Sequence, residues 1–387
     1  MIKDCKVPQI RFKGFECQWH KSVLSKILSN ISVKNYISVT EPLGLYEVIQ
    51  QGDNPVAGYS NQSPIDNYES LVIFGDHTLS LYKPQSPFLI ASDGVKILFA
   101  SHFNGNYLYY LLLNNLPTSE GYKRYYSILK NISVSFTTEI LEQSKIGKLF
   151  QSIDSLITYD KMKHKLLQNI KKSLLRKMFP NDNENLPQIR FKGFDEKWES
   201  KRLSAIGETF MGLSSKSKND FGHGDARYIT YMNIFLNPLA KSTLVEQIEI
   251  DMKQNEVKYG DIFFTTSSET PDEVGMSSVW VHNMNNTYLN SFCFGVRPYI
   301  SLKPFFLAYA LRSEMFRKQV KLLAQGISRF NISTKNMMNN IIAIPCKNEQ
   351  SKIGQLFKKL DELIELYNYK TDKLEKIKYA LLHKMFS

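Results

Sequence analysis

The sequence predicts an α+β protein built twice: two mixed α/β globules separated by two long antiparallel coiled-coil helices, the halves related by a pseudo-two-fold internal repeat. Two repeated blocks predict it. The octet Pro-Gln-Ile-Arg-Phe-Lys-Gly-Phe at 8–15 returns letter for letter at 187–194, an offset of 179, and each copy is followed by a tryptophan, Trp19 or Trp198. Gln143-Ser144-Lys145-Ile146-Gly147-Lys148-Leu149-Phe150 returns at seven of eight positions at 350–357. The helical patterns these open close on Lys177-Met178-Phe179 and Lys384-Met385-Phe386, with a constant offset of 207. Different offsets leave unequal segments between constant blocks, so the order is block, variable segment, helix, and the same three again. The expected boundaries are 1–139 for the first globule with its block, 140–180 for the central helix, 181–347 for linker, block and second globule, and 348–387 for the C-terminal helix.

At 387 residues the chain exceeds what one core usually organises, and its 43 % hydrophobic content supplies two. Lys plus Arg number 49 against 37 acids, a net charge of +12. That excess argues for a polyanionic partner, most simply nucleic acid, and sets affinity and steering more than sequence preference. Cys5, Cys17, Cys293 and Cys346 form no C-x-x-C pair and stand at no zinc-ligand spacing, so reduced cytosolic thiols are expected. Met1-Ile2-Lys3-Asp4 lacks the apolar run of a signal peptide, and the stretch from Tyr107 to Leu113 is too short to span a bilayer, which points to the cytoplasm.

In the first variable segment, 16–139, the apolar runs Ser70 to Phe74, Phe88 to Ala91 and Val95 to Ala100 predict strands, with Asp93-Gly94 as a hairpin turn. Tyr107 to Leu113 has helical spacing. In the second, 195–347, strands are expected at Ile229 to Phe235, Asp261 to Thr266, Ser278 to His282 and Phe292 to Pro298, and a helical stretch at Lys303 to Leu323. Both segments end alike: Gly121, Arg124, Tyr125, Lys130 and Asn131 are answered 205 residues on by Gly326, Arg329, Phe330, Lys335 and Asn336. Shared endings on divergent globules imply a common fold carrying different surfaces.

Along the first long helix Ile146, Phe150, Ile153, Leu156, Ile157, Leu167, Ile170, Leu174 and Met178 fall at steps of mainly three and four, and the second repeats the stripe from Ile353 to Met385. Such a stripe reads as a coiled-coil seam, and equal lengths make each helix the natural partner of the other. About 40 residues give a rod of about 60 Å. Pro180-Asn181-Asp182-Asn183-Glu184-Asn185 ends the first helix and links the halves. Residues 140–179 carry nine Lys or Arg against three acids, and 348–386 eight against six. The first helix therefore reads either as a solvated face or as a phosphate-facing one.

Catalytic signatures are missing. There is no methyl-donor glycine motif and no Asn/Asp-Pro-Pro-aromatic tetrapeptide, since Asn54-Pro55 and Asn237-Pro238 run on into Val56 and Leu239. The metal-nuclease order Pro-Asp then Asp/Glu-x-Lys fails, because Glu256-Val257-Lys258 precedes Pro271-Asp272. Gly222-His223-Gly224-Asp225 lacks the Lys-Ser/Thr of a phosphate loop and reads as a surface loop.

Taken in order, the repeated octet with its tryptophan, the Gln-Ser-Lys-Ile-Gly-x-Leu-Phe helices ending in Lys-Met-Phe and the Gly-x-x-Arg-aromatic endings resemble the DNA specificity subunit of bacterial Type I restriction-modification systems. The resemblance covers essentially the whole chain. It implies two target recognition domains, each reading one half of a split sequence in double-stranded DNA, with the helices as a ruler that sets the unread spacer. It also implies two modification subunits, which methylate adenine, and two restriction subunits, which translocate and cut DNA. The methyl donor, ATP and Mg would then sit on those partners, with no cofactor and no active site on this chain. Half-sites on one face of B-DNA are about 34–36 Å apart per turn, within the span of such a rod. The alternative is a single-chain restriction or modification enzyme whose active site is unrecognised, and a coiled-coil scaffold is a third reading.

Under this resemblance, base readout needs donors and acceptors aimed at groove edges. The candidates in the second domain are Tyr231, Asn233, Thr265, Thr266, Ser267, Ser268, Gln325, Ser328 and Arg329. In the first they are Tyr59, Ser60, Asn61, Lys123, Arg124 and Tyr125. Recurrence of Arg124 and Arg329 in domains reading different sequences favours phosphate contact for both. Arg11, Phe12, Trp19, Arg190, Phe191 and Trp198 are candidates for contact with the modification subunits or, equally, for anchoring each domain to the helices.

Overall fold

A computed structural model describes residues 7–181 and 184–386. Met1 to Asp4, Cys5, and Asp182 and Asn183 of the linker lie outside the described residues. The chain divides into two compact units, Met1–Met162 with Asn368–Ser387, and Lys163–Tyr367. Both division points fall inside the long helices, Ile140–Lys177 and Lys347–Phe386. Each unit therefore owns a piece of both.

In the first unit His20–Val23 pairs antiparallel with Ser133–Phe136 and brings the ends of the variable segment together. Between them lies a four-stranded sheet ordered Leu28–Ile31, Val95–Ala100, Val72–Gly75, Leu81–Tyr82. A three-stranded sheet follows the order Val56–Ser60, Tyr46–Ile49, Phe88–Ile90, its last pair parallel. The second unit repeats this plan. Glu199–Arg202 pairs with Ile341–Ile344, a five-stranded sheet takes the place of the four, and a three-stranded sheet again ends in a parallel pair, Phe221–Ile229 with Thr287–Leu289. The common fold expected from the shared endings is present.

The central strands are continuous apolar runs because both of their faces are buried. Val72 and Phe74 face the core under the long helices, while Ile73 faces a second core between the sheets. Ile262 and Phe264 divide from Phe263 in the same way.

Four local expectations change. Asp93-Gly94 turns the chain but closes no hairpin, since Phe88–Ile90 pairs with Tyr46–Ile49 whereas Val95–Ala100 pairs in the other sheet. The run Ile229 to Phe235 is strand only as far as Ile229. Thr230 then caps a helix, Tyr231–Leu236, its hydroxyl accepting from the Asn233 amide, and local capping overrides β-propensity. Lys303 to Leu323 is two helices, Pro304–Ala310 and Glu314–Leu322, because Ser313 stands extended and caps the second. Gly222 to Asp225 forms the bulge of the strand Phe221–Ile229, with Gly222 and Gly224 at φ of +87° and +96°, and is not a free loop.

The helix motif explains itself in contacts that occur twice. Gln143, buried, accepts from the Asn104 amide at 2.8 Å and donates to Thr137 O at 2.8 Å. Gln350 does the same with Lys303 N (3.0 Å) and Pro345 O (2.8 Å). Gly147 and Gly354 let a short helix approach, for a Cβ on Gly147 would stand 3.0 Å from Tyr107 N and one on Gly354 only 2.7 Å from Phe306 N. Tyr110 donates to Asp154 (2.7 Å), which Lys378 of the other helix also meets (2.6 Å). Tyr309, Asp361 and Lys171 form the counterpart. Each helix ends in the unit begun by the other. Phe386 packs with Trp19 and Phe150, and Phe179 with Trp198 and Phe357. The octets cap these ends, Ile10 N donating to Lys384 O and Ile189 N to Lys177 O.

Within each unit the helix pieces run antiparallel, as Asp154 with Lys378 and Lys161 with Glu375 require in the first, and Lys171 with Asp361 and Phe179 with Phe357 in the second. The stripe is not one continuous seam, however. Leu156 and Ile170, and their repeat equivalents Leu363 and Ile377, are exposed, because a straight α-helix drifts about 20° per heptad off a 3.5 repeat.

Candidate nucleic-acid interface

In the second unit the shared ending builds one wall of a cavity of about 680 Å³. Ser267–Ser268 pairs with Phe330–Asn331, and the Gln325–Asn331 bridge folds residues 326–330 into a tight loop. Gly326 is required there: its φ is +144°, and a Cβ would meet Arg329 O at 2.0 Å. The turn leaves Ser328 and Arg329 exposed at the cavity rim. Opposite, Tyr231 is half-buried, its hydroxyl donating to Ser267 O at 2.6 Å and its ring stacked on Phe235. Burial raises the Tyr231 pKa, so the phenol stays neutral. Glu269, Glu273, Met232 and Phe292 complete the lining, and none of the four was among the sequence candidates. A polar cavity with aromatic walls, one guanidinium and two carboxylates holds donors, acceptors and stacking faces of the kind that base edges demand.

The structure therefore brings Tyr231, Ser267, Ser268, Ser328 and Arg329 together. Others are spent inside the fold. Asn233 is buried, donating to Lys241 O and Leu244 O and accepting from Lys241 N, so its amide holds the turn after its helix. Thr265 is fully buried and accepts from the Met276 amide. Thr266 donates to Phe292 O, whereas Gln325 pairs with Asn331 through its main chain only and is exposed.

In the first unit Ser60 is buried, accepting from the Ser38 hydroxyl, and Tyr125 is a core residue whose hydroxyl donates to Gly121 O at 2.6 Å. Asn61 accepts from the Leu45 amide, while Tyr59 and Arg124 are exposed. Lys123 pairs with Glu120 at 2.5 Å. No hydrogen bond, ion pair or ring contact among the described residues joins 59–61 to 121–125. Beside Arg124, Tyr122 is 85 % exposed and stacks on His77, centroids 4.7 Å apart. An aromatic in the shared ending where its counterpart is Ile327 was the available signal for it.

The block candidates turn inward. Arg11 makes a bidentate pair with Glu142 (2.6 and 2.9 Å) and Arg190 with Glu349 (2.7 and 2.8 Å), each glutamate wholly buried in the first turn of its long helix. The glutamates raise both guanidinium pKa values. Trp19 and Trp198 are buried, and Phe12 and Phe191 pack partly on the same cores. All six make anchoring contacts within this chain. Among the described residues no group of three or more His, Cys, Asp or Glu could hold a metal, and no helix is long and apolar enough to cross a membrane.

Residues 195–376 match the family described as Type I restriction modification DNA specificity domain. The chain is similar to the Type I restriction enzyme MjaVIII specificity subunit of Methanocaldococcus jannaschii, 22 % identical over 266 residues, a match spanning 66 % of this chain and 61 % of that relative. Its fold is similar to that of a Type I restriction-modification system S subunit from M. genitalium, with a TM-score of 0.64 and 15 % identity over 99 % of both chains. A chain solved in a study of complex assembly and conformational transition of the type I R-M system shares the fold at a TM-score of 0.50, with 16 % identity over 95 % of this chain and 97 % of that one. The matched domain fills the second half, and the octet, the helix motif and the sheet plan carry the same construction into the first. The second half of this chain thus matches the Type I restriction modification DNA specificity domain, and the whole chain shares the fold of the solved S subunit it resembles.

Proposed function

We propose that this chain is the sequence-reading component of a Type I restriction-modification complex and does no chemistry itself. Each unit reads one half of a split target in double-stranded DNA, in the cytoplasm, while two modification subunits methylate adenine and two restriction subunits cut. On this reading the methyl donor, ATP and Mg belong to those partners. The observation that carries the proposal is the contrast between constant and variable parts. The Arg–Glu clamps, glutamine stitches and Tyr–Asp–Lys triads occur in both halves, whereas the exposed groups beside the recurring Arg124 and Arg329 differ, Tyr122 and Lys123 in one and Ile327 and Ser328 in the other. A scaffold kept constant under divergent surfaces suits two domains that read different sequences from a repeated frame.

In the second unit Tyr231, Ser267, Ser268 and Ser328 meet base edges, Glu269 accepts from a cytosine amino group, and Arg329 meets phosphate. In the first, Tyr59, Asn61, Lys123 and Arg124 take these roles. The modification subunits dock on surface common to both halves, where Leu156, Ile170, Leu363 and Ile377 leave apolar area exposed on the helices. The test is to express the chain with its modification partner and map methylated adenines genome-wide. A single split motif is expected. A contiguous motif, or methylation or cleavage by the isolated chain, overturns the proposal.

A further inference from the structure

The repeat supplies an internal control for a second pocket in the second unit, about 710 Å³, between the end of the first long helix, Asp361 and Ile364 of the second, and the helix Glu314–Leu322 with Arg312 before it. The first unit has a pocket at the equivalent place, about 520 Å³. The scaffold residues correspond: Lys171 with Lys378, Leu175 with Leu382, Asp361 with Asp154. The remaining positions diverge in charge. Arg312, Lys172 and Arg176 stand where the first unit has Leu113, Tyr379 and His383, and the helix Glu314–Leu322 adds Arg317, Lys318 and Lys321. Since the same frame folds in the first unit with Tyr379 and His383 at the positions of Lys172 and Arg176, packing does not demand those two charges.

Their counter-charge is incomplete. Arg312 is half-buried and donates only to carbonyls, of Ser277 (2.8 Å), Ile234 (2.7 Å) and Phe235 (3.0 Å). Arg317 likewise donates to Gly275, Asp272 and Val274 O at 2.7 to 3.0 Å. Carbonyls satisfy N–H groups and leave the charge unbalanced. Burial, with Arg317 adding repulsion, pushes the Arg312 pKa down to about 9. Three acids on or beside the wall are engaged, Asp361 by Lys171 and Tyr309, Glu314 by Arg176 and Lys318, and Asp272 by Lys321, against seven cations lining the pocket.

We propose that this pocket binds phosphate oxyanions, either on the backbone of duplex DNA beside the recognised half-site or on a free polyphosphate. Planar guanidinium groups beside the exposed Lys172 match the charge and oxygen geometry of phosphate. The duplex source rests on the recognition reading above; the free source does not. The test uses the full chain and K172Q/K321Q, two exposed positions, with K161Q/H383Q in the first-unit pocket as control and unfolding midpoints to verify that each variant folds. Pyrophosphate titrated by calorimetry should bind the second-unit variant at least tenfold more weakly if the source is free polyphosphate. If the source is duplex, log affinity against log salt should lose about two of slope on random-sequence DNA, while the ratio of specific to random affinity stays unchanged. Unchanged pyrophosphate affinity together with an unchanged slope overturns the proposal, as does an equal loss in the first-unit control. Either result with the specificity ratio intact leaves sequence recognition standing.

Discussion

Arg190 and Glu349 illustrate how a surface-looking motif becomes internal. A glutamate in the first turn of a 40-residue helix is favoured by the helix dipole, and here it is also wholly buried, so its charge depends on the fork of Arg190. Arg190→Ala should leave that charge unpaired and cost about 3 kcal/mol, which calorimetry would register as a lower unfolding midpoint. Glu349→Gln should cost less, because it removes the charge that needs a partner. Arg329 is the opposite case, exposed and without a structural duty for its side chain. Arg329→Ala should weaken binding of the assembled complex to all sequences alike and lower the salt slope by about one. A change confined to one base of the half-site would instead make Arg329 a base reader.

Among the elements, the long helices depend on the glycine in their motif. Gly354→Ala drives a Cβ to 2.7 Å from Phe306 N and 2.8 Å from Phe305 Cβ, whereas Gly147→Ala meets its neighbours at 3.0 Å. Both should destabilise, by about 1–3 kcal/mol, and Gly354→Ala should cost more, as denaturant midpoints of the two variants would establish. Elements that run straight were legible from periodicity: 140–177 and 347–386 lie within a few residues of their predicted spans. Elements that break were not. Thr230 and Ser313 interrupt patterns by accepting one amide each, and a hydroxyl in a sequence carries no mark that separates a cap from a groove contact.

For the whole molecule the quantity that matters is helix length. The two helices span about 57 and 60 Å at 1.5 Å per residue, and each unit grips a piece of both through its clamp, stitch and aromatic plug. Inserting about four residues, close to one helical turn, at one point of the 146–178 stretch should lengthen the unread spacer in the methylated motif and leave both half-sites as they were. Altered half-sites would refute the ruler.

The sequence alone determined the repeat, its two offsets and the helices, and it carries the resemblance to the specificity subunits. These are written in residues whose meaning is local or periodic: a glycine at a close approach, an apolar stripe, an octet that recurs. Only the tertiary structure decided which polar residues are free to read anything. Ser60, Tyr125, Asn233 and Thr265 resemble readers in the chain yet spend their hydrogen bonds inside. Glu269 and Tyr122 reach the surface unannounced, and Lys172 and Arg312 meet in one pocket from 140 residues apart. The reason is physical: a hydrogen-bonding side chain is committed by whichever partner the fold brings to it, and most of those partners are remote in sequence.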